Sequence, residues 1–96
     1  MAAEVLSFQK EEGKTAYYAT FVSDGNPVTI QIKNKGGYVT VHANIEGMKP
    51  VILYPNVRDN NGASDSIFRV AGIVAGVEIT IKSATEVLEA KMIKEG

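Results

Sequence analysis

The sequence predicts a mainly β protein, a small antiparallel sandwich or barrel of about six to eight strands. Three observations carry that prediction. Apolar and polar residues alternate with period two along most of the chain. Clusters of Gly, Asn, Asp and Pro recur between the alternating runs, about every ten residues. The chain has 96 residues, which makes one domain spanning 1–96, with one core and little room for a deep cleft.

The elements follow in order. Residues 15–22, Thr-Ala-Tyr-Tyr-Ala-Thr-Phe-Val, are rich in strand formers, and Asp24-Gly25-Asn26-Pro27 reads as a turn. Over 28–33, Val28, Ile30 and Ile32 face one way and Thr29, Gln31 and Lys33 the other. Asn34-Lys35-Gly36-Gly37 is a second turn. Residues 38–43 alternate again, with Val39, Val41 and Ala43 opposite Tyr38, Thr40 and His42. Two such runs around a Gly-rich turn predict a hairpin.

Pro50 and Pro55 bracket Val51-Ile52-Leu53-Tyr54, the signature of an edge strand. Asp59-Asn60-Asn61-Gly62 is a loop. Residues 66–72 and 77–82 read as a further strand pair around Gly72-Ile73-Val74-Ala75-Gly76. The last segment has two readings. Ser83-Ala84-Thr85-Glu86 matches a capping box, and the Ala, Leu, Glu, Lys and Met that follow favour a short C-terminal helix over 84–94. Leu88, Ala90 and Met92 also alternate with Glu89 and Lys91, which describes a last strand. No repeat of fixed period stands out. The expected core is Val28, Ile30, Ile32, Val39, Val41, Ile79 and Ile81, with Phe21, Phe68 and Leu88 added.

Composition narrows the chemistry. A hydrophobic fraction of 45% with 22% charged residues is that of a folded domain, which argues against intrinsic disorder. With no cysteine there is no disulfide, thiolate metal site or thiol nucleophile. Ten basic residues balance eleven acidic ones, and neither half of the chain is polarised. A phosphate-neutralising stripe is missing, so nucleic acid is not an expected partner. The N-terminus lacks a basic region followed by an apolar run, and no stretch is long and apolar enough for a transmembrane helix. The expectation is a complete protein made in the cytoplasm without a signal peptide, and with no membrane partner.

Individual residues give weak signals for chemistry. His42 is the single histidine and lies on the polar register of its strand, where a solvent-facing role explains it. Asp59, Asn61 and Asp65 supply oxygen at alternate positions, but Gly62 falls one place too early for a calcium loop. Backbone-bonding turn residues explain them better. Glu11-Glu12 flanks a turn, and Glu86 with Glu89 reads as solubilising charge. Gly72 and Gly76 have small-xxx-small spacing, which signifies packing only inside a membrane. No nucleophile elbow, phosphate loop or dinucleotide fingerprint occurs. No catalytic residue, cofactor or metal ligand is therefore assigned, and the protein is not expected to be an enzyme.

Interaction surfaces remain. Tyr17, Tyr18, Tyr38 and Tyr54 offer apolar bodies with polar tips, and adjacent Tyr17 and Tyr18 cannot both face the core of one sheet. Ile73 and Val74 fall either at a loop tip that a partner would cover or within a strand bent at its glycines. These six form the candidate interface. The expected function is that of a structural interaction protein acting through assembly, with copies of itself as a homo-oligomer or with a larger protein partner. Small stand-alone β domains that decorate virus or phage capsids, and so end in a virion, are the nearest type by size and composition. The alternative is a small carbohydrate- or ligand-binding β module that uses the tyrosines as a stacking surface.

Overall fold

A computed structural model describes residues 3–55, 57 and 65–95. Those residues form β1 (Glu4–Val5), β2 (Gln9–Lys10), β3 (Tyr17–Val22), β4 (Val28–Asn34), β5 (Val39–Asn44), β6 (Val51–Tyr54), β7 (Asp65–Val70), β8 (Glu78–Ser83) and β9 (Val87–Lys94). Two antiparallel sheets pack as a sandwich. Sheet A has the order β1-β9-β4-β7 and sheet B the order β2-β3-β8-β5-β6. Nine strands exceed the expected number because β1 and β2 hold only two residues each.

Period-two alternation places the core between the sheets. Ile30, Ile32 and Val28 of β4 and Ala90 and Met92 of β9 face Val39 and Val41 of β5, Ile79 and Ile81 of β8 and Ala19 of β3. Each fully buried isoleucine contributes about 1.5–3 kcal/mol of transfer free energy. Every residue of the main expected core is buried. Phe21 and Phe68 are half-buried against it, whereas Leu88 is 55% exposed, because Ala90 and Met92 set the inward register and the start of β9 lies off it.

Two expected pairings are not formed. β4 and β5 lie in opposite sheets, and so do β7 and β8. β4 pairs instead with β7 and β9, and β8 pairs with β3 and β5. Alternation states that one face is buried; it does not state in which sheet, since both sheets bury the same kind of face.

The C-terminal helix is also not formed. Residues 87–94 are the strand β9, with Ile30 opposite Met92 and Ile32 opposite Ala90. Ser83 turns inward instead of capping a helix, and Glu86 reaches Lys35 at 3.0 Å. Ladder bonds and burial beside β4 outweigh the few tenths of a kcal/mol per residue by which Ala, Leu and Lys favour helix, about 0.7 at most.

The registers expose an internal two-fold relation that the sequence reading missed. A shift of 49 positions carries the pair Ile30↔Met92 to Ile79↔Ala43, and Ile32↔Ala90 to Ile81↔Val41. The units β3-β4-β5 and β7-β8-β9 are thus two copies of one arrangement with the sheets exchanged. Val28-Thr-Ile-Gln-Ile-Lys-Asn34 and Val77-Glu-Ile-Thr-Ile-Lys-Ser83 are identical at four of seven positions, which is the trace left in the sequence.

The relation is anchored where the two central strands end. The buried Asn34 side chain donates from Nδ2 to Ser83 Oγ at 2.7 Å. Asn34 Oδ1 also accepts from the Gly36 N–H at 2.9 Å, and Ser83 Oγ from the Thr85 N–H at 3.4 Å, so each side chain opens its own corner two residues on. Thr85 Oγ1 then donates to the Gly36 carbonyl, and the Ala84 N–H to the Tyr38 carbonyl at 2.9 Å. The corners are close enough that a Cβ on Gly37 (φ 92°) would meet the Ala84 Cβ at 3.3 Å. Ser23 joins the corners at the opposite end, donating its N–H to the Val77 carbonyl and accepting at its own carbonyl from the Gly76 N–H.

Removing Ser83 Oγ takes this acceptor from the buried Asn34 amide. Ser83→Ala is expected to lower unfolding free energy by about 1–3 kcal/mol. A double variant with Asn34→Ala should cost less than the sum of the two single changes, because both remove the same bond. Urea unfolding of the three variants measures this. Additive effects would mean that the bond does not couple the corners.

Candidate functional site

The six candidate interface residues do not share one surface. Tyr17 opens β3 on its inward register, while Tyr18 lies on the outward face of sheet B and donates to Gln9 Oε1 at 3.5 Å. Tyr38 precedes β5 beside the Asn34–Ser83 corners and is 56% exposed. Tyr54 ends β6 and packs against the core. Ile73 and Val74 belong to the β7–β8 connection at the other end of the sandwich.

That connection is a loop, with Gly72 and Gly76 at φ 78° and 96° closing it on either side. Its two apolar residues part company. Ile73 turns in against the core, and Val74 stays 72% exposed. Val74 is therefore a single exposed side chain and not the centre of an apolar tip.

His42 occupies the outward face of sheet B, opposite Thr80 on β8 and Ile52 on β6. Its Nε2 is 3.1 Å from Thr40 Oγ1 on the same strand, and Thr20 and Thr80 touch through their hydroxyls at 3.1 Å in the next columns. Partial burial holds the imidazole below its ordinary pKa, and the Lys82 ammonium adds to that shift. Asp59 and Asn61 lie outside the described residues. Asp65 begins β7 opposite Lys33. Among the described residues no three of His, Asp and Glu gather as a metal site.

The outward face of sheet A is a patchwork of both signs. Lys33 on β4 has Asp65 and Glu89 as its neighbours on either side, and Gln31 has Ile67 and Lys91. Arg69 grips the Glu95 carboxylate through Nε and Nη2 at 3.0 and 3.1 Å. The two signs cancel locally and leave no single-sign field for steering a charged ligand. Between the sheets, the depression lined by Phe21, Val28, Val70, Ile73 and Ile79 holds about 10 Å³, roughly the space of one water molecule.

The prominent surface feature lies elsewhere, at the β5–β6 edge of sheet B. Ile45, Met48, Val51 and Ile52 are 67%, 68%, 65% and 60% exposed. They fall within eight consecutive residues, on the connection after β5 and on the first half of β6. Sequence reading identified the edge strand, which the structure places correctly, but not its role as an apolar surface. The available signal was an apolar run bracketed by prolines, in which every residue is apolar and no alternation shows which of them face the core.

The strand edges differ in the same sense. Among the described residues the outermost strands are β1, β2, β6 and β7. β1 carries Glu4, β2 carries Lys10, and β7 carries Asp65 and Arg69. Short length and charge are the devices by which proteins blunt an open edge. β6, Val-Ile-Leu-Tyr, is also short and its register against β5 shifts between Val41 and His42, but it has no charge at all.

With this geometry in view, comparison with known proteins adds nothing: no family model matches the chain, and neither does any curated protein or solved structure.

The His42 environment has a measurable consequence. A folded-state pKa below the unfolded value means that the unfolded chain binds the proton more readily. The corresponding stability is present above the ordinary histidine range, about 6.5, and is lost as pH falls through the lowered folded value. Lys82→Gln should raise the His42 pKa towards ordinary without restoring it fully, because burial is the larger cause. An NMR titration of the His42 ring protons in both proteins checks the direction. A fall on losing Lys82 would contradict it.

Proposed function

We propose that this protein is a structural interaction protein that acts through assembly, and that the β5–β6 edge is its contact surface. The observation that carries this reading is the cluster Ile45, Met48, Val51 and Ile52, exposed beside an uncharged strand edge. Exposed apolar side chains scattered singly need no explanation, but four within eight consecutive residues at one sheet edge support a surface that is covered in use. Glu46, Lys49 and Asn44 supply a polar rim in sequence. Burying four such side chains removes apolar area from water, the main drive for association.

Within this class, the finer reading is a small decoration protein of a virus or phage capsid. Its support is one cysteine-free β domain of 96 residues with a balanced surface, suited to use in many copies. The carbohydrate-binding alternative has less in its favour. Its tyrosines would have to form one stacking platform, and Tyr17, Tyr18, Tyr38 and Tyr54 are divided among an inward register, an outward face, a corner and an edge.

Light scattering across a tenfold concentration range tests the assembly reading. A discrete oligomer, or a mass that rises with concentration, is the expected result. Replacing Ile45 and Met48 together by Ser should reduce that association, with secondary structure unchanged because both side chains are exposed. A monomer at every concentration would contradict autonomous assembly.

A further inference from the structure

We infer that the partner of the β5–β6 edge is a second copy of this chain, joined through antiparallel pairing of β6 with β6 about a two-fold axis at Ile52. This rests on the assembly reading and names its partner.

Backbone geometry comes first. The Tyr38 carbonyl points towards β8, where it accepts from Ala84, and the Val39 carbonyl points the other way, where it accepts from Val57 at 3.0 Å. Along a strand these directions alternate, so the backbone groups of Val41 and Ala43 also face β6, and those of His42 face β8. His42 lies opposite Ile52. In an antiparallel ladder the two residues of such a pair turn their N–H and C=O away from each other. The Ile52 N–H and C=O therefore point out from the sheet, along the side of β6 that no strand of the described residues pairs with.

A strand with one outward donor and one outward acceptor on a single residue is complementary to itself. Two copies related by a two-fold at Ile52 exchange both bonds, Ile52 N–H to Ile52 C=O in each direction. Val51 of one chain then faces Leu53 of the other, and the Ile52 side chains meet on the outer face. The pairing would cover Val51 and Ile52, which are 65% and 60% exposed in the single chain. No like charges meet, because β6 has none, whereas β1, β2 and β7 would each bring charge close to its own copy. A net charge of -1 adds little repulsion between whole molecules.

The flanking prolines set the extent. Pro50 shares the outward backbone direction of Ile52 but has no N–H to give, and Pro55 follows the last residue of the strand. Pairing is confined to one short window, so it closes as a dimer and does not spread along the edge. The result is one continuous sheet made from two copies of sheet B, held by a contact below the standard interface size.

Two substitutions isolate the pairing. Ile52→Pro deletes the N–H that points away from β5, and Ile52→Lys keeps the N–H but sets a charge against its own copy. Sedimentation velocity from about 10 μM to about 1 mM covers the range expected for a contact of this size. The wild-type mass should climb towards twice that of one chain, and both variants should stay monomeric with the wild-type circular dichroism spectrum. The Ile52 amide should exchange more slowly as concentration rises. Association that survives both substitutions would overturn the β6 pairing and leave assembly through another surface standing. A wild-type chain that stays monomeric up to the highest concentration would overturn the pairing and self-assembly together. Should Ile52→Pro disturb the fold, Ile52→Lys and the amide exchange decide the matter.

Discussion

The bond between Asn34 and Ser83 is the point on which the rest of the structure turns. β4 and β8 are interior strands of the two sheets, and each ends in a polar residue at a position where the alternation calls for an apolar one. A buried amide and a buried hydroxyl are costly alone, and each satisfies part of the other's requirement. From that contact the chain leaves β4 for β5 and β8 for β9, in both cases changing sheet. The two corners lock through Thr85, Gly36, Tyr38 and Ala84. The arrangement then repeats with the sheets exchanged, which is why one seven-residue pattern, ending once in Asn34 and once in Ser83, occurs twice.

This topology decides where the surface is open. Most successive strands cross between sheets, and only β2 with β3 and β5 with β6 pair as chain neighbours among the described residues. The segment from β1 to β2 covers β9 and β3 on one side, with Leu6 buried and Phe8 packed in the gap between the sheets. On the other side β6 covers β5, and Leu53, Tyr54 and Val57 fill the corresponding gap. The inner half of β6 thus serves the core, while Val51 and Ile52 remain outside it. The apolar residues just before β6, Ile45 and Met48, extend its exposed half.

Much of this was legible in the sequence, and the unread part has physical causes. The alternation in Val28–Lys33, Val39–Ala43 and Val77–Lys82 gave the strands, the buried faces and the β class. It could not assign strands to sheets, since Ile32 and Val39 would face inward in a hairpin or in a sandwich corner alike. Ser83 was misleading because the same Ser-x-x-Glu spacing serves a helix cap in isolation and a buried corner beside Asn34. The duplication hid behind a 4-of-7 identity that acquires meaning only when the registers coincide. The candidate site was legible in part. Pro50 and Pro55 announced the edge, but Ile73 and Val74 drew attention as a pair until the fold turned one of them inward.

The proposal that β6 is the strand edge that takes a partner is tested most directly by a concentration series of ¹⁵N–¹H correlation spectra. Amide signals of the non-proline residues from Ile45 through Tyr54 should move progressively as concentration rises, while those of Val74 and of the outward residues Thr29, Gln31 and Lys91 stay fixed. Movement centred on Val74 or on the outer face of sheet A, with β6 unchanged, would contradict it.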